Sequence, residues 1–225
     1  MRSSRSSLLL AALATALIEG CGEGGAPAES PHGALAPRPG APPGYAEDEH
    51  AWGAYHSKRL LLSLKLPEGR VWRIDDHSGP ELRASHPGTR SEVIVSRWSE
   101  GELVGRKQCE ARARERGFVP RKDLRTLEST VTVGPEAFDT RQWVALEVKG
   151  SGALVGHLFA FGGNIRQCLL FHLSTEVDGV VDELVLSQRL AMAKTRILDR
   201  LALDPPRIGE DIEVGREKPA PPPKK

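Results

Sequence analysis

Apolar residues alternate with polar ones through the middle of this chain, and this alternation constrains the fold more than any other feature. Leucines occupy positions 60, 62, 64 and 66 in one such segment. A period of two places these side chains on one face of a β-strand, as expected for a sheet with one buried face. Pro67, Glu68 and Gly69 then interrupt the pattern.

Further runs of strand-like residues follow, and residues typical of turns separate them. The runs are 71–75, 81–86, 92–98, 127–133, 142–149, 153–161 and 165–173. Gly162, Gly163 and Asn164 lie between the last two runs, and these residue types tolerate the positive φ of a tight turn, so the two runs are predicted to form a hairpin. The series as a whole predicts a meandering antiparallel sheet.

Two segments have helical periodicity instead. Ser99 and Glu102 have the spacing of a capping box, which would open a helix that ends at Gly117. A longer helix is predicted from about Val177 to Leu203, with acidic residues near its start and basic residues near its end. Strands and helices do not alternate in this order. The sequence therefore predicts an α+β fold, an antiparallel β-sheet with a mid-chain helix and a long C-terminal helix packed on it.

The first residues have the composition of an export signal. Arg2 and Arg5 precede the apolar run 8–18, which is too short to span a membrane. The sequence Ile18-Glu19-Gly20-Cys21 resembles the signal of bacterial lipoproteins. This resemblance implies that residues 1–20 are a lipoprotein signal peptide and that the thiol of Cys21 is lipidated. The alternative is a secretory signal cut around residues 14–16, which would leave Cys21 as a spare thiol.

The rest of the chain divides into three parts by composition. Residues 21–45 are rich in Gly, Ala and Pro and are predicted to form a tether. Residues 46–203 are predicted to form a single α+β domain, and residues 204–225 a disordered, charged, Pro-rich tail. The 225 residues include 31 Lys and Arg against 30 Asp and Glu. A formal charge of +1 argues against a nucleic-acid partner.

The order of elements between Lys58 and Leu203 resembles the Mog1/PsbP-like fold of small exported bacterial proteins. The segments that carry the resemblance are LLLSLKLPEGRVWRI and VVDELVLSQRLAMAKTRILDRL. The resemblance implies a non-catalytic adaptor, chaperone or assembly factor. It assigns no site residues.

Two cysteines, Cys109 and Cys168, lie within the predicted domain. An exported domain folds in an oxidising compartment, which favours a disulfide between them. Closing a loop of about 60 residues would stabilise the fold by about 4 kcal/mol on the chain-entropy model. Two separate buried thiols are the alternative. No metal site is predicted, because the sequence has no CxxC or Cys/His spacing typical of zinc.

Histidines are the first candidates for catalysis. His50 and His56 flank Trp52 in a segment that also contains Glu47, Asp48 and Glu49 and could bind a cation, although a solvated acidic segment is favoured. His157 and His172 lie on the two arms of the predicted hairpin, where a structural pair is favoured over a catalytic one. Asp75-Asp76-His77 is assigned to a turn. Since the sequence has no GxSxG elbow, no Walker loop, no GxGxxG turn that joins a strand to a helix and no HExxH helix, no catalytic residue and no cofactor are predicted, and the sequence favours a protein that is not an enzyme.

Basic residues outnumber acidic ones between positions 106 and 125. The possible interaction surface comprises Arg106, Lys107, Arg112, Arg114, Arg116 and Arg121. Such a surface could contact anionic lipid head groups or an acidic protein, and a solvated helix face is the alternative. The four tryptophans are assigned to the core or its rim.

Together these features predict a membrane-anchored lipoprotein of the bacterial cell envelope, with its domain outside the cytoplasmic membrane. It would act as a non-enzymatic binding or assembly module, with the membrane as one partner and an envelope protein as the other. One alternative is a hydrolase or small-ligand carrier that uses a cleft between the sheet and the C-terminal helix. A pocket holding His157 or His172 beside a carboxylate would favour that alternative. The other alternative is a secretion-system adaptor or chaperone.

Overall fold

The computed structural model describes residues 40–120, 124–133 and 138–204. The predicted signal peptide, Cys21, most of the predicted tether, Arg121 and nearly all of the predicted tail lie outside the described residues.

The described residues form ten strands and two α-helices. The strands are β1 (Trp52–Ser57), β2 (Leu62–Pro67), β3 (Arg73–Asp75), β4 (Leu82–His86), β5 (Ser91–Ser99), β6 (Arg125–Val133), β7 (Asp139–Val148), β8 (Leu154–Asn164), β9 (Gln167–Val177) and β10 (Ala202–Leu203). The helices are α1 (Arg106–Glu115) and α2 (Glu183–Met192), and a π-helical turn, Ala193–Leu198, continues α2. Two 3-10 turns, Glu49–Ala51 and Val180–Asp182, complete the list.

Two antiparallel sheets organise these strands. The main sheet has the order β3-β4-β5-β9-β8-β7-β6, and a small sheet has the order β1-β2-β10. The α+β prediction is therefore confirmed.

The two helices pack on opposite faces of the main sheet. On the face covered by α2, a Cβ atom at Gly156 would lie 2.6 Å from Leu190 Cδ1. On the face covered by α1, a Cβ atom at Gly163 would lie 2.4 Å from the carbonyl carbon of Gly105. Side chains alternate between faces along a strand, so residues 156 and 163 of β8 must face opposite ways. We call these the α2 face and the α1 face.

The disulfide predicted between Cys109 and Cys168 is present and joins α1 to β9. The S–S distance is 2.00 Å, and the sequence separation is 59 residues. Both cysteines are fully buried. Their cluster on the α1 face also contains Trp98, Trp143 and Phe161. Three of the four tryptophans are buried and Trp52 is partly buried, which confirms their assignment to the core or its rim.

Both predicted helices begin later than expected. Ser99 is the last residue of β5, and α1 begins at Arg106 after an N-cap at Gly105, whose N–H donates to the Gln108 side chain. The capping box assigned to Ser99 and Glu102 was therefore wrong. Strand β9 extends to Val177, where the longer helix had been predicted to begin.

The β8–β9 hairpin is confirmed, but its turn was placed wrongly. Gly162 and Gly163 lie inside β8, and Ile165 and Arg166 form the turn, with Ile165 at a φ of 54°. These glycines are needed for close packing instead. A Cβ atom at Gly162 would lie 3.0 Å from the Phe138 ring, and a Cβ atom at Gly163 would clash with the backbone of Gly105.

Candidate functional site

The two hairpin histidines form a buried pair on the α1 face. His157 Nδ1 and His172 Nε2 are 3.1 Å apart and share a hydrogen bond. The ring of His172 stacks on Phe159 with a centroid distance of 4.2 Å, and Phe159 stacks on Trp143 at 4.3 Å. Burial is the main reason why the pKa of His172 falls from 6.5 to about 3, and His157 and Arg83 lower it further. His172 is therefore neutral at physiological pH and fills the core as an aromatic ring.

A carboxylate does lie near this pair. Glu147 Oε2 is 3.6 Å from His157 Nε2. This arrangement is part of what the hydrolase alternative requires. That alternative also requires the pair to face a cleft between the sheet and the C-terminal helix.

The other candidate clusters have structural contacts. The Asp75 carboxylate accepts hydrogen bonds from the backbone N–H groups of His77 and Ser78, which lower its pKa to about 2. His56 belongs to β1, and its Nδ1 lies 3.0 Å from Ser63 Oγ on β2. In the ranges 40–120, 124–133 and 138–204, no three His, Cys, Asp or Glu side chains are grouped as a metal site would require.

Carboxylates accompany the basic residues assigned to an interaction surface. Arg106 pairs with Asp139. Arg112 lies 3.1 Å from Glu115, Arg114 lies 2.8 Å from Glu110, and Arg116 lies 3.8 Å from Glu100. The Arg116 guanidinium also lies over the Trp98 ring, 4.5 Å from its centroid. These contacts reduce the positive potential of the surface and hold its arginines against the domain.

An open apolar groove lies between α2 and the outermost strands of the main sheet. Its volume is about 470 Å³. The lining residues are Leu127 and Glu128 of β6; Val144 and Leu146 of β7; Glu183, Leu186, Ser187, Leu190 and Ala191 of α2; and Lys194 and Thr195 of the turn that follows. We call it the β6–α2 groove. A depression of about 570 Å³ is larger and is lined by residues of β1, by Leu66 of β2, by the turn 68–71 and by Ile74 of β3.

The sequence of α2 explains the helical wall of the groove. The lining positions of α2 and its continuation are separated by three or four residues, which is the spacing of one helical stripe. Leu186 and Leu190 of this stripe also pack on Gly156 of β8, one of the two strands on which α2 packs. The α2 faces of β6 and β7 remain open beside it and form the floor.

Charged groups mark the two ends of the groove. Lys194 Nζ lies 3.3 Å from Glu128 Oε1 and links the helical wall to β6. Glu183, in the first turn of α2, lines the other end. Between them the lining is mostly apolar, and Leu127 remains 54% exposed. The groove can therefore bury an elongated apolar group and can offer charged partners at its ends.

The histidine pair lies on the other side of the sheet from this groove. Val144 and Leu146 line the groove and pair in register with Leu158 and Gly156 of β8. His157 lies between those two residues, so its side chain points to the α1 face. The groove occupies the cleft required by the ligand-carrier alternative, but it holds neither histidine.

Strand β6 forms one edge of the main sheet and one side of the groove. All nine of its residues are exposed, and no described strand lies beyond it. The sequence predicted a strand at 127–133 but not its position at the edge. The only signal was its composition, because residues 129–133 are Ser, Thr, Val, Thr and Val with no large apolar side chain to bury.

Solved structures that this chain resembles include two distant likenesses. The crystal structure of a protein from Bacteroides thetaiotaomicron VPI-5482 is 10% identical in sequence, with a TM-score of 0.40. The match covers 68% of this chain and 48% of the Bacteroides chain, so this chain spans about half the length of that protein. The solution structure of cyanobacterial PsbP (CyanoP) from Synechocystis sp. PCC 6803 is 8% identical with a TM-score of 0.44, covering 65% of this chain and 91% of that one. Likenesses this distant do not bear on function.

No family model and no curated protein matches the sequence. Within the described ranges, no helix is both long enough and apolar enough to cross a membrane.

Proposed function

We propose that this chain is a lipid-anchored, non-enzymatic binding module of the bacterial envelope, and that its β6–α2 groove receives an apolar segment of another envelope protein. The observation that carries the binding role is the open apolar floor between α2 and β6. An exposed apolar surface of this kind is typical of an interaction site. The leader and the sequence Ile18-Glu19-Gly20-Cys21 support the anchor.

The anchor has a direct test. Wild-type protein should incorporate radioactive palmitate in a bacterial host, and a Cys21→Ser variant should not. Several acyl chains would hold the protein firmly to a membrane, so the wild type should also remain in the membrane fraction. Equal labelling of both proteins would refute lipidation at Cys21.

Site-specific photo-crosslinking tests the groove. A photoreactive residue at Ser187, inside the groove, should give one discrete adduct in intact cells, and mass spectrometry should identify the protein captured. The control position is Lys107 on α1, which belongs to the basic surface predicted from the sequence. An adduct at position 107 alone would assign binding to the basic surface instead. If the captured protein is a secreted effector, the module is a secretion adaptor.

The dimensions of the groove favour a second candidate, a carrier of a small apolar ligand. A groove of about 470 Å³ is within the range of small-molecule sites. Purified protein should then bind a fluorescent fatty acid, and Leu190→Asp should abolish the binding. Saturable binding together with no protein adduct at position 187 would favour the carrier over the protein-binding module.

A further inference from the structure

Strand β6 has the chemistry of a strand that pairs with another strand. In an antiparallel sheet an edge strand has unpaired N–H and C=O groups along its outer side, and native proteins usually block such an edge with charges, proline, bulges or a covering element. The described residues provide such a block for only half of β6. A β-bulge lies between Thr126 and Glu128, and the charged side chains Arg125 and Glu128 flank it.

The second half of β6, residues 129–133, has neither a charge nor a proline. Four of its five residues are β-branched, which favours extended backbone. Val131 and Val133 are exposed by 59% and 76%. This half pairs with β7 in unbroken register, so its backbone is held straight and ready to accept a further strand.

We infer that β6 pairs with β6 of a second copy of this chain, antiparallel, across a two-fold axis at Val131. In that register Val131 is opposite Val131 of the second copy, Thr130 is opposite Thr132, and Ser129 is opposite Val133. Valine and threonine pairs of this kind are favourable across antiparallel strands, and no like charges are opposed. The bulge and its two charged residues lie outside the paired segment. The two main sheets become one continuous sheet.

A second copy fits this edge because residues 129–133, when paired antiparallel with the same residues of another copy, oppose only Ser, Thr and Val side chains. The contact involves only five residues of each strand, which is less than a stable interface in dilute solution normally buries. The dimer should therefore be weak for the free protein. If the proposed lipid anchor is correct, confinement of the copies to one membrane raises their effective concentration and favours the dimer. The pairing itself does not require the anchor.

The experiment uses the full-length chain with Cys21→Ser, so that neither lipid nor the Cys21 thiol contributes. Sedimentation velocity over a wide concentration range should show a reversible monomer–dimer equilibrium. Val131→Lys should raise the dimer dissociation constant about tenfold or more, because two like charges would face each other across the axis. The matched control is Val148→Lys, which places the same charge at an exposed valine of β7 and should leave the equilibrium unchanged.

Single cysteines then test the register. Directly opposed residues of antiparallel strands have Cα atoms about 4.5–5.5 Å apart, within the range of a disulfide. Val131→Cys should therefore form a covalent dimer on mild oxidation. Val133→Cys should not, since the two copies of residue 133 would be four residues apart along the strands, or about 13 Å.

Three results would overturn the inference: a monomer at every concentration, a dimer that Val131→Lys leaves intact, or crosslinking at residue 133 as efficient as at residue 131. Circular dichroism of each variant would confirm that it is folded. Palmitate labelling is a separate measurement, so failure of the dimer and failure of the anchor are distinguishable.

Discussion

His172 shows how burial changes the chemistry of a single residue. Its imidazole stacks on the Phe159 ring and lies beside the His157 ring, on a face of the sheet where its neighbours exclude water. Because the folded protein holds its pKa near 3, against 6.5 for an exposed histidine, the unfolded chain binds a proton at pH values where the folded chain does not.

The free energy of unfolding should therefore fall with acidification below about pH 6.5, at up to about 1.4 kcal/mol per pH unit, and the loss should continue toward pH 3. Above pH 6.5 His172 is neutral in both the folded and the unfolded chain, so it causes no loss of stability there. Urea unfolding measured at several pH values would show the slope. A His172→Gln variant should be less stable at neutral pH but should show a smaller slope.

A surface variant controls for the other acid-sensitive groups. His50→Gln removes an exposed histidine from the lead-in segment and should keep the wild-type slope. If His172→Gln retained the full slope, the acid sensitivity would come from other groups.

At the scale of elements, the sheet was more predictable than its helices and turns. Alternation identified β2, β4, β5 and β7 to within a few residues, because one-sided burial imposes a period of two on the sequence. Strand β1 was missed because its polar residues, including His56, resemble a solvated segment. The β6–α2 groove was anticipated only as the cleft of the hydrolase or carrier alternative, since the composition of residues 129–133 alone does not place β6 at the edge beside α2.

The clearest error of the sequence prediction concerned two glycines, because glycine occurs both in tight turns and where two backbones pack closely. Gly162 and Gly163 suggested a turn, but Ile165 adopts the positive φ and Gly163 allows β8 to approach the N-terminus of α1. Close approach depends on the partner element, which is remote in sequence. Local propensity therefore cannot distinguish a packing glycine from a turn glycine.

Gly163→Ala should destabilise the protein by about 1–3 kcal/mol, since the new Cβ would meet backbone atoms of Gly105 that cannot rotate away. Thermal or urea unfolding would measure the loss. Gly150→Ala is the matched control, because a Cβ there has no neighbour within 4 Å, and it should change stability by less than about 0.5 kcal/mol. Equal stability of the two variants would contradict this account of α1 packing.

At the scale of the whole molecule, one buried arginine fastens the lead-in segment to the domain. Arg189 of α2 is fully buried, and its guanidinium donates to the carbonyl oxygens of Pro43, Thr89 and Glu176. Pro43 falls within the stretch predicted to be a tether, and Tyr45 beside it is also buried. If Cys21 is anchored as proposed, tension from the membrane would reach the domain at α2, the helix that forms one wall of the groove.

Replacing this arginine should separate the lead-in from the domain. Arg189→Met keeps much of the apolar volume but removes the donor to three carbonyl groups, of which only that of Thr89 belongs to a buried residue, and a buried group left unsatisfied costs about 1–3 kcal/mol. We expect an overall loss of about 2–4 kcal/mol, because hydrogen bonds from a charged donor are lost and the Thr89 carbonyl group is left unsatisfied. Limited proteolysis should then cut within residues 40–51 before the rest of the domain is attacked.

Arg200→Met is the matched control, because it removes an arginine whose guanidinium forms an exposed ion pair 2.8 Å from Glu49 of the same segment. Exposed pairs contribute little, so this variant should resemble the wild type within about 0.5 kcal/mol and keep its proteolytic pattern. If Arg189→Met lost stability while the lead-in stayed protected, the arginine would hold β9 to α2 without fastening Pro43. Tension on the lead-in would then be borne by β1 and the small sheet.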